Sequence, residues 1–497
     1  MQLDVSRAAA LCASLLIVAI LLPMCGGSET ARTDQSRDGV GRIIRMVAHT
    51  YMPSDDMEVS EQNPFPRGAI RVLAKHWERQ HPGVRIEFVR IPDQTAYVSW
   101  VRTQCTGGTV AEIIFWWPPG DELGLKEWVI PLDDYLDRPN RYVSGNERWR
   151  DLFLPVCLNP PWKARDGHDY FVPVDVFMTA VFYNKDIFAE AGIERLPETW
   201  DEFIDVQERI RQAGYEPFWC PEMRSHWPRS LFGQLLFDKE VFEQLDVLET
   251  NGRIEGEEAI RGASLGITGL HEPRFREYLR LMKEWSQYWK GGPSLGGSVE
   301  SINLFLLGKL AMVWQGAWSL SQMEADPYVE FEFGLFAFPP MTKDTSPVAS
   351  GRKPLINASP GTCYYVTQSA ARNGLADLCA DWLMFLTTPE NCEELTQETT
   401  AIKIPPAVVG TKVAAVLEPI MTYDMSLLED LIIPWGDGSP EALDNCNRLF
   451  ELFLMDELDF EETVSRMEKW WEIGIEEAIR INQRLSDEQG RWDMAKW

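Results

Sequence analysis

Histidine is scarce in this chain, and the short motifs of several common catalytic sites are missing. Six His occur in 497 residues, and no CxxC pair accompanies them. No P-loop, HExxH or GxGxxG motif is present. We therefore expect neither a metal site nor a cofactor.

Basic residues are in deficit. The chain has 47 Lys and Arg against 76 Asp and Glu, which gives a formal net charge of -29 at pH 7. This field repels nucleic acid and anionic lipid, so the sequence argues against both as partners. It favours a neutral ligand over an acidic one.

Paired cysteines are missing as well. Without Cys12 and Cys25, which precede the folded part, seven cysteines are scattered from Cys105 to Cys446 with no CxxC pair. An odd, scattered set is poor support for a disulfide framework or a metal site. The sequence leaves a single disulfide as an alternative, but we expect buried free thiols.

Long apolar runs are absent except near the start of the chain. Arg7 precedes an apolar run from Ala8 to Leu22, which has the length of a signal-peptide core and is short for a membrane span. Its end, Leu-Pro-Met-Cys25, resembles the lipobox of bacterial lipoproteins. We expect a signal peptide over 1–25, a lipid anchor on Cys25 and a flexible tether over 26–41. An ordinary secretory signal with a chance Cys is the alternative.

Strands and helices alternate through most of the remaining chain. Arg42 to His49 and Val84 to Arg90 have strand character, and Ile70 to Gln80 between them has the pattern of an amphipathic helix. Such βαβ steps predict an α/β fold with partly parallel sheets. Tryptophan is abundant at 20 residues. We interpret most of these as core and the rest as candidates for an aromatic binding surface.

The segment 173–203 organises the chain. Val174 to Phe182 reads as a strand buried on both faces, and a short helix follows that ends at Gly192. Thr199 and Glu202 have the capping-box spacing that begins the next helix. This order of parts resembles the lobe-crossing segment of family 1 extracellular solute-binding proteins, the sugar receptors of bacterial ABC importers. The chain is identified as a member of that family, with the resemblance covering roughly residues 42–409.

The resemblance implies a two-lobed, type II periplasmic-binding-protein-like α/β fold. Each lobe would be a mixed sheet flanked by helices and would be discontinuous in sequence. The expected N-terminal lobe comprises 42–173 plus 322–388, and the C-terminal lobe 174–321 plus 389–497. Crossing strands are expected near 174–182 and 318–322, and the lobes would close on ligand as a two-state clamp.

Aromatic residues beside carboxylates or amides suggest where a ligand binds. A flat ring covers the C–H face of a sugar, and polar side chains bind its hydroxyls. The resemblance supports Trp116, Trp318, Glu216 and Trp219 as sugar contacts. Phe177 stands where a maltodextrin-type receptor has a carboxylate, which argues against maltodextrin. Trp117 is predicted to face either ligand or core. The full set of candidate ligand-binding residues is Tyr51, Trp116, Trp117, Asp175, Phe177, Glu216, Trp219, Gln315, Trp318, Gly361, Trp435 and Asp437.

The implied function is that of a non-enzymatic receptor. It would capture a carbohydrate outside the cell or in the periplasm, as a monomer anchored to the membrane through Cys25, and deliver it to an ABC permease. A surface sugar receptor for a signalling partner is one alternative. A secreted glycoside hydrolase is another, with Glu216 and Asp175 as its carboxylate pair. The chain lacks the eight βα units of a barrel hydrolase.

Overall fold

The computed structural model describes residues 41–60, 63, 65–91, 96–118, 125–158, 162–164, 166–219, 221, 226–248, 250, 252, 254, 256–290, 298–356, 358–398, 402–421, 439–484 and 492–497. The expected signal peptide, the anchor at Cys25 and nearly all of the tether lie outside these residues, as do Trp435 and Asp437.

The described strands are β1 Arg42–Met46, β2 Val84–Phe88, β3 Ile113–Trp116, β4 Phe171–Pro173, β5 Val176–Phe177, β6 Thr179–Asn184, β7 Phe218–Trp219, β8 Trp289–Lys290, β9 Met312–Gly316, β10 Phe333–Phe336, β11 Ser359–Pro360 and β12 Cys363–Val366. The described α-helices are α1 Ala69–Gln80, α2 Tyr97–Gly107, α3 Leu125–Trp128, α4 Asp133–Leu136, α5 Pro155–Leu158, α6 Lys185–Glu190, α7 Trp200–Gln212, α8 Trp227–Leu236, α9 Lys239–Leu245, α10 Gly256–Ser264, α11 Pro273–Ser286, α12 Ser298–Leu306, α13 Leu320–Ala325, α14 Gln368–Arg372, α15 Ala376–Leu386, α16 Pro389–Thr396, α17 Glu418–Met421, α18 Pro440–Leu454 and α19 Phe460–Arg484.

Two mixed five-stranded sheets form the framework. The first has the order β2-β1-β3-β12-β4, with β1 parallel to β2 and β3, and β12 antiparallel to β3 and β4. The second has the order β10-β6-β9-β7-β8, in which β6 runs antiparallel to β9 and β10 while β7 is parallel to its neighbours. A short antiparallel ribbon, β5 with β11, joins them. The expected mixed sheets flanked by helices are confirmed.

Tryptophan fills both cores, as expected for most of these residues. The indoles of Trp77 and Trp382 meet edge to face at 5.7 Å between α1 and α15 behind the first sheet. The indoles of Trp200 and Trp285 also meet edge to face, at 5.6 Å, between α7 and α11 behind the second sheet. All four are at most 1% exposed. Large rings bury much apolar surface with few rotatable bonds, so these pairs fix how the helices sit on the sheets.

Local signals around the organising segment are confirmed. The Asn184 side chain caps α6 by accepting from the amides of Asp186 and Ile187. Gly192, which follows α6, has φ 68°, a backbone region that favours glycine. Thr199 caps α7 by accepting from the Glu202 amide at 3.3 Å.

The chain passes from the first sheet to the second at 174–178, within the crossing predicted near 174–182. The predicted strand 174–182 is divided into β5, which joins the ribbon, and β6, which enters the second sheet. After β9 the chain does not cross at 318–322, because β10 pairs with β6 in the register Leu335 to Phe182. It returns through β11, next to β5.

These pairings change the lobe boundaries that we propose. Residues 333–336 belong with the second sheet, so a boundary at residue 322 does not follow the sheets. Helix α16 packs on α1 and α15 behind the first sheet, whereas α18 packs on α11 behind the second. We propose a first lobe of 42–173 plus 359–398 and a second of about 179–338 plus 439–484, because burial against a shared sheet defines a folding unit.

Candidate ligand-binding site

A cavity of about 520 Å³ opens where the two lobes and the crossing segments meet. Its wall is formed by His49, Thr50, Arg67, Trp117, Phe177, Trp318, Ser321, Ile402 and Ile404. Ligands of open α/β sheets bind beyond the carboxyl ends of strands. Part of this wall follows that rule, since His49, Trp117 and Trp318 come shortly after β1, β3 and β9.

Three aromatic side chains form the apolar part of the wall. Trp117 is 42% exposed and Trp318 is 41% exposed, which is unusual for indoles in a chain that buries so many others. Phe177 lies beside Trp318, with ring centroids 5.3 Å apart. The indole of Trp318 folds back over Gly316, where a Cβ would collide with it. Trp117 belongs to the first lobe and Trp318 to the second, so each lobe contributes one indole to the cavity wall.

Trp116 and Trp117 show how strand geometry decides which ring is available. Successive side chains of a strand point to opposite faces. Trp116, the last residue of β3, is 3% exposed and packs on Tyr97 at 6.0 Å. Trp117 turns the other way, into the cavity, and meets Phe115 edge to face at 4.9 Å. Trp116, which the sequence predicted as a ligand contact, is thus a buried residue of the first lobe in this structure.

The polar part of the wall is His49, Thr50, Arg67 and Ser321. His49 has φ 50°, and its ring stacks on Phe115 at 3.7 Å. Burial, and secondarily the positive charge of Arg67, lower the pKa of His49 to about 4, so the ring is neutral at pH 7. Nη1 of Arg67 donates to the Thr50 carbonyl oxygen at 2.6 Å.

Asp175 is part of the crossing region and does not line the cavity. Its carboxylate accepts from the Tyr51 hydroxyl at 2.5 Å and from the Thr362 amide at 2.8 Å. Burial raises the pKa of Asp175, and the hydrogen bonds from Tyr51 and Thr362 oppose that rise. A Cβ at Gly361 would collide with this carboxylate. Tyr51, Asp175 and Gly361, predicted as ligand contacts, lie outside the described cavity wall, and their mutual contacts hold the crossing segments against the first lobe.

Three further predicted contacts also lie away from the cavity. Trp219 is 4% exposed within β7, and Gln315 is 5% exposed in β9, where its amide donates to Ser301 Oγ at 3.3 Å. Both are covered because their strands are central in the second sheet. Glu216 forms an ion pair with Lys290 at 2.9 Å instead.

The structure thus brings together Trp117, Phe177 and Trp318 from the predicted set. The wall residues that sequence reasoning missed are His49, Thr50, Arg67, Ser321, Ile402 and Ile404. A signal existed for His49 and Thr50, which follow the first strand just as the predicted Tyr51 does. No local pattern marks Arg67 or Ile402, because only the folding of distant segments brings them to the cavity.

Within the described residues no group of three His, Cys, Asp or Glu is placed to hold a metal ion. No two of the six described cysteines, which exclude Cys220, form a disulfide with each other, and five of the six are buried. None of the described helices is both long and apolar enough to span a bilayer. Two α/β lobes, linked by crossing strands and sharing an aromatic cavity, define the class of two-lobed ligand-binding proteins.

The chain belongs to the family of bacterial extracellular solute-binding proteins, which it matches over residues 65–391. It is 23% identical over 295 residues to the multiple sugar-binding protein of Streptococcus mutans, covering 57% of this chain and 62% of that one. It is 25% identical over 251 residues to the sn-glycerol-3-phosphate-binding periplasmic protein UgpB of Salmonella paratyphi A, covering 50% of this chain and 51% of that one. The chain therefore spans less than two thirds of these curated relatives. Both are described as binding proteins, not as enzymes.

Solved structures support the fold. The apo form of RafE from Streptococcus pneumoniae matches with a TM-score of 0.57 at 17% identity, covering 88% of this chain and 98% of that one. At this identity the match shows the two-lobed α/β fold and nothing about the ligand. The fold expected from the sequence is confirmed.

Proposed function

We propose that this protein is an extracellular receptor that captures a carbohydrate between its lobes and delivers it to the permease of an ABC importer. The observation that carries the proposal is the pair of exposed indoles, Trp117 and Trp318, on one cavity wall with Phe177. Aromatic rings match the C–H face of a sugar ring, and Thr50 and Ser321 add hydroxyls for its rim. The ligands that the two relatives are named for, sugars and a glycerol phosphate, are polyhydroxylated too.

Closure of the lobes supplies the mechanism. Trp117 follows β3 of the first sheet and Trp318 follows β9 of the second, so a ligand contacts both only when the lobes approach. The additional contact in the closed state is the differential affinity that drives closure. The ribbon of β5 and β11 would bend, while the bond between Tyr51 and Asp175 keeps the crossing segment attached to the first lobe.

A non-enzymatic role is part of the proposal. Glycoside hydrolysis requires two carboxyl groups beside the scissile bond. The described wall contains no Asp or Glu, Asp175 is buried against Tyr51, and Glu216 is paired with Lys290. We also propose a monomer held at the extracellular face of the membrane, or in the periplasm, by a lipid on Cys25.

Calorimetry with a panel of mono- and oligosaccharides tests the proposal. Burying one indole against a sugar covers roughly 150–250 Å² of ring, and a loss of about 1.4 kcal/mol weakens affinity tenfold. We expect Trp318→Ala and Trp117→Ala each to weaken binding of the responding sugar at least tenfold. Tyr328→Ala, at an aromatic residue 72% exposed outside the cavity wall, serves as the control.

Two results would refute the receptor proposal. Unchanged affinity in both tryptophan variants would remove the cavity as the sugar site. Release of a shortened product from a bound oligosaccharide would show catalysis.

A further inference from the structure

The described residues of the cavity wall carry charge of one sign. Of the nine wall residues, Arg67 is the one that is ionised at pH 7, because His49 is neutral there and the other seven carry no ionisable side chain. The wall formed by described residues therefore carries a positive charge and no negative charge. This contrasts with the chain as a whole, whose formal net charge is -29.

Arg67 uses few of its hydrogen-bond donors. A guanidinium has five N–H groups, and with described residues the side chain of Arg67 makes one hydrogen bond, to the Thr50 carbonyl oxygen at 2.6 Å. The structure shows no ion pair within 4.0 Å for this side chain among the described residues. The Glu398 carboxylate lies close enough for its negative charge to oppose the lowering of the Arg67 pKa by burial. It forms no ion pair with Arg67, and its Oε1 accepts from the amides of Gly68 at 2.8 Å and Ala69 at 3.2 Å.

Three other partly buried arginines of this protein contact carboxylates, whereas Arg71 and Arg209 donate to backbone carbonyl oxygens. Arg150 contacts Asp169 at 3.0 Å, and Arg274 contacts Glu272 at 2.7 Å. Arg45 contacts Glu112 at 2.8 Å. A half-buried guanidinium without such a partner is costly unless another anion completes it. At Arg67 the space beside the guanidinium is the ligand cavity.

We propose that the ligand carries an anionic group, a carboxylate or a phosphate or sulfate ester, which Arg67 binds while Trp117 and Trp318 cover the apolar part. This rests on the proposed function, and it narrows the substrate class to acidic carbohydrates. Guanidinium groups bind such oxyanions through two parallel N–H donors. The acidic surface does not prevent this, because charges beyond about 8 Å are largely screened at physiological salt, whereas a direct contact is not.

The neutral ligand favoured by the overall composition is thus replaced by an acidic one. Net charge describes the long-range field, which acts on approach. The wall of the cavity acts on the bound ligand, and there Arg67 is the ionised group among the described residues.

Matched pairs of sugars test the inference. We would measure binding of glucose, glucuronate and glucose 6-phosphate, and of galactose, galacturonate and galactose 6-phosphate, with sulfate alone as the simplest anion. Calorimetry on wild type, Arg67→Gln, Arg67→Lys and Arg85→Gln supplies the affinities. Arg85 is the matched control, since it is an exposed arginine on β2 of the same lobe, paired with Glu87.

We expect wild type to prefer the acidic member of at least one pair by tenfold or more, with an affinity that falls as salt rises. Arg67→Gln should abolish the preference while retaining the weaker neutral binding, and Arg67→Lys should keep part of it. Arg85→Gln should behave as wild type. Comparing the affinities of the two uronates with those of the two sugar 6-phosphates then shows whether a carboxylate or a phosphate binds more tightly.

The inference is overturned if neutral sugars bind at least as well as their acidic partners in wild type and Arg67→Gln alike, a result that leaves the sugar receptor standing. It is also overturned if neither sulfate nor any acidic sugar responds. Binding of amino acids or peptides in place of every sugar would instead overturn the proposed function itself.

Discussion

The neutral histidine in the cavity wall predicts a specific dependence of stability on pH. The pKa of His49 falls from 6.5 to about 4 in the folded protein, chiefly because the ring is buried against Phe115. Between these values the unfolded chain binds a proton that the folded protein does not, so the free energy of unfolding rises with pH in this window. Lowering the pH from 7.5 to 4 should therefore cost about 3 kcal/mol from this group, at about 1.4 kcal/mol per pKa unit.

The substitution His49→Asn isolates the contribution of the His49 pKa shift to the free energy of unfolding. Asparagine tolerates the left-handed backbone at φ 50° and does not titrate. Urea unfolding would be followed by tryptophan fluorescence at several pH values for wild type and His49→Asn. Wild type should lose about 3 kcal/mol more than the variant between pH 7.5 and 4.

Other acidic groups titrate in the same window, but they are common to both proteins and cancel in the difference. His76→Asn, which removes an exposed histidine from α1, is the control for deleting any imidazole. Equal pH slopes for wild type and His49→Asn would refute the argument that His49 is neutral because it is buried.

Two further predictions concern the crossing region and the cavity wall. Asp175→Ala leaves the Tyr51 hydroxyl and the Thr362 amide without a buried acceptor, so the free energy of unfolding should fall by about 2–4 kcal/mol; a loss below 0.5 kcal/mol in denaturant titration would contradict the role given to this carboxylate. Gly316→Ala should displace the Trp318 indole from the cavity, weakening sugar binding in calorimetry at least fivefold while the far-UV circular dichroism stays unchanged; wild-type affinity would show that Trp318 does not depend on this close approach.

Much of the fold was readable because its signals are local. The helix predicted from Ile70 to Gln80 is α1, one residue longer at its start. Gly192 and Thr199 act as the predicted stop and start signals, since a left-handed backbone and an N-cap are properties of a few neighbouring residues. Local patterns could not decide the crossing predicted at 318–322, because the position of β10 depends on its pairing with β6.

The site was harder to predict for the same reason. Aromatic composition indicated a ring-lined surface, and Trp117, Phe177 and Trp318 do lie on the cavity wall. Trp219, in an equally aromatic context, is covered by its central position in the second sheet. Burial depends on the whole lobe, so equivalent sequence signals led to opposite environments.

By itself, the sequence determined that strands and helices alternate, where several of them begin and end, and that the chain carries more aromatic rings than its cores require. Only the tertiary structure decided which of the rings of Trp116 and Trp117 faces the cavity. It also decided that Asp175 accepts a hydrogen bond from Tyr51, which lies 124 residues away in the chain. It also brought Arg67 to a wall without carboxylates. The physical reason is distance along the chain: caps and pleats act between near neighbours, whereas burial and charge pairing depend on segments that meet only after folding.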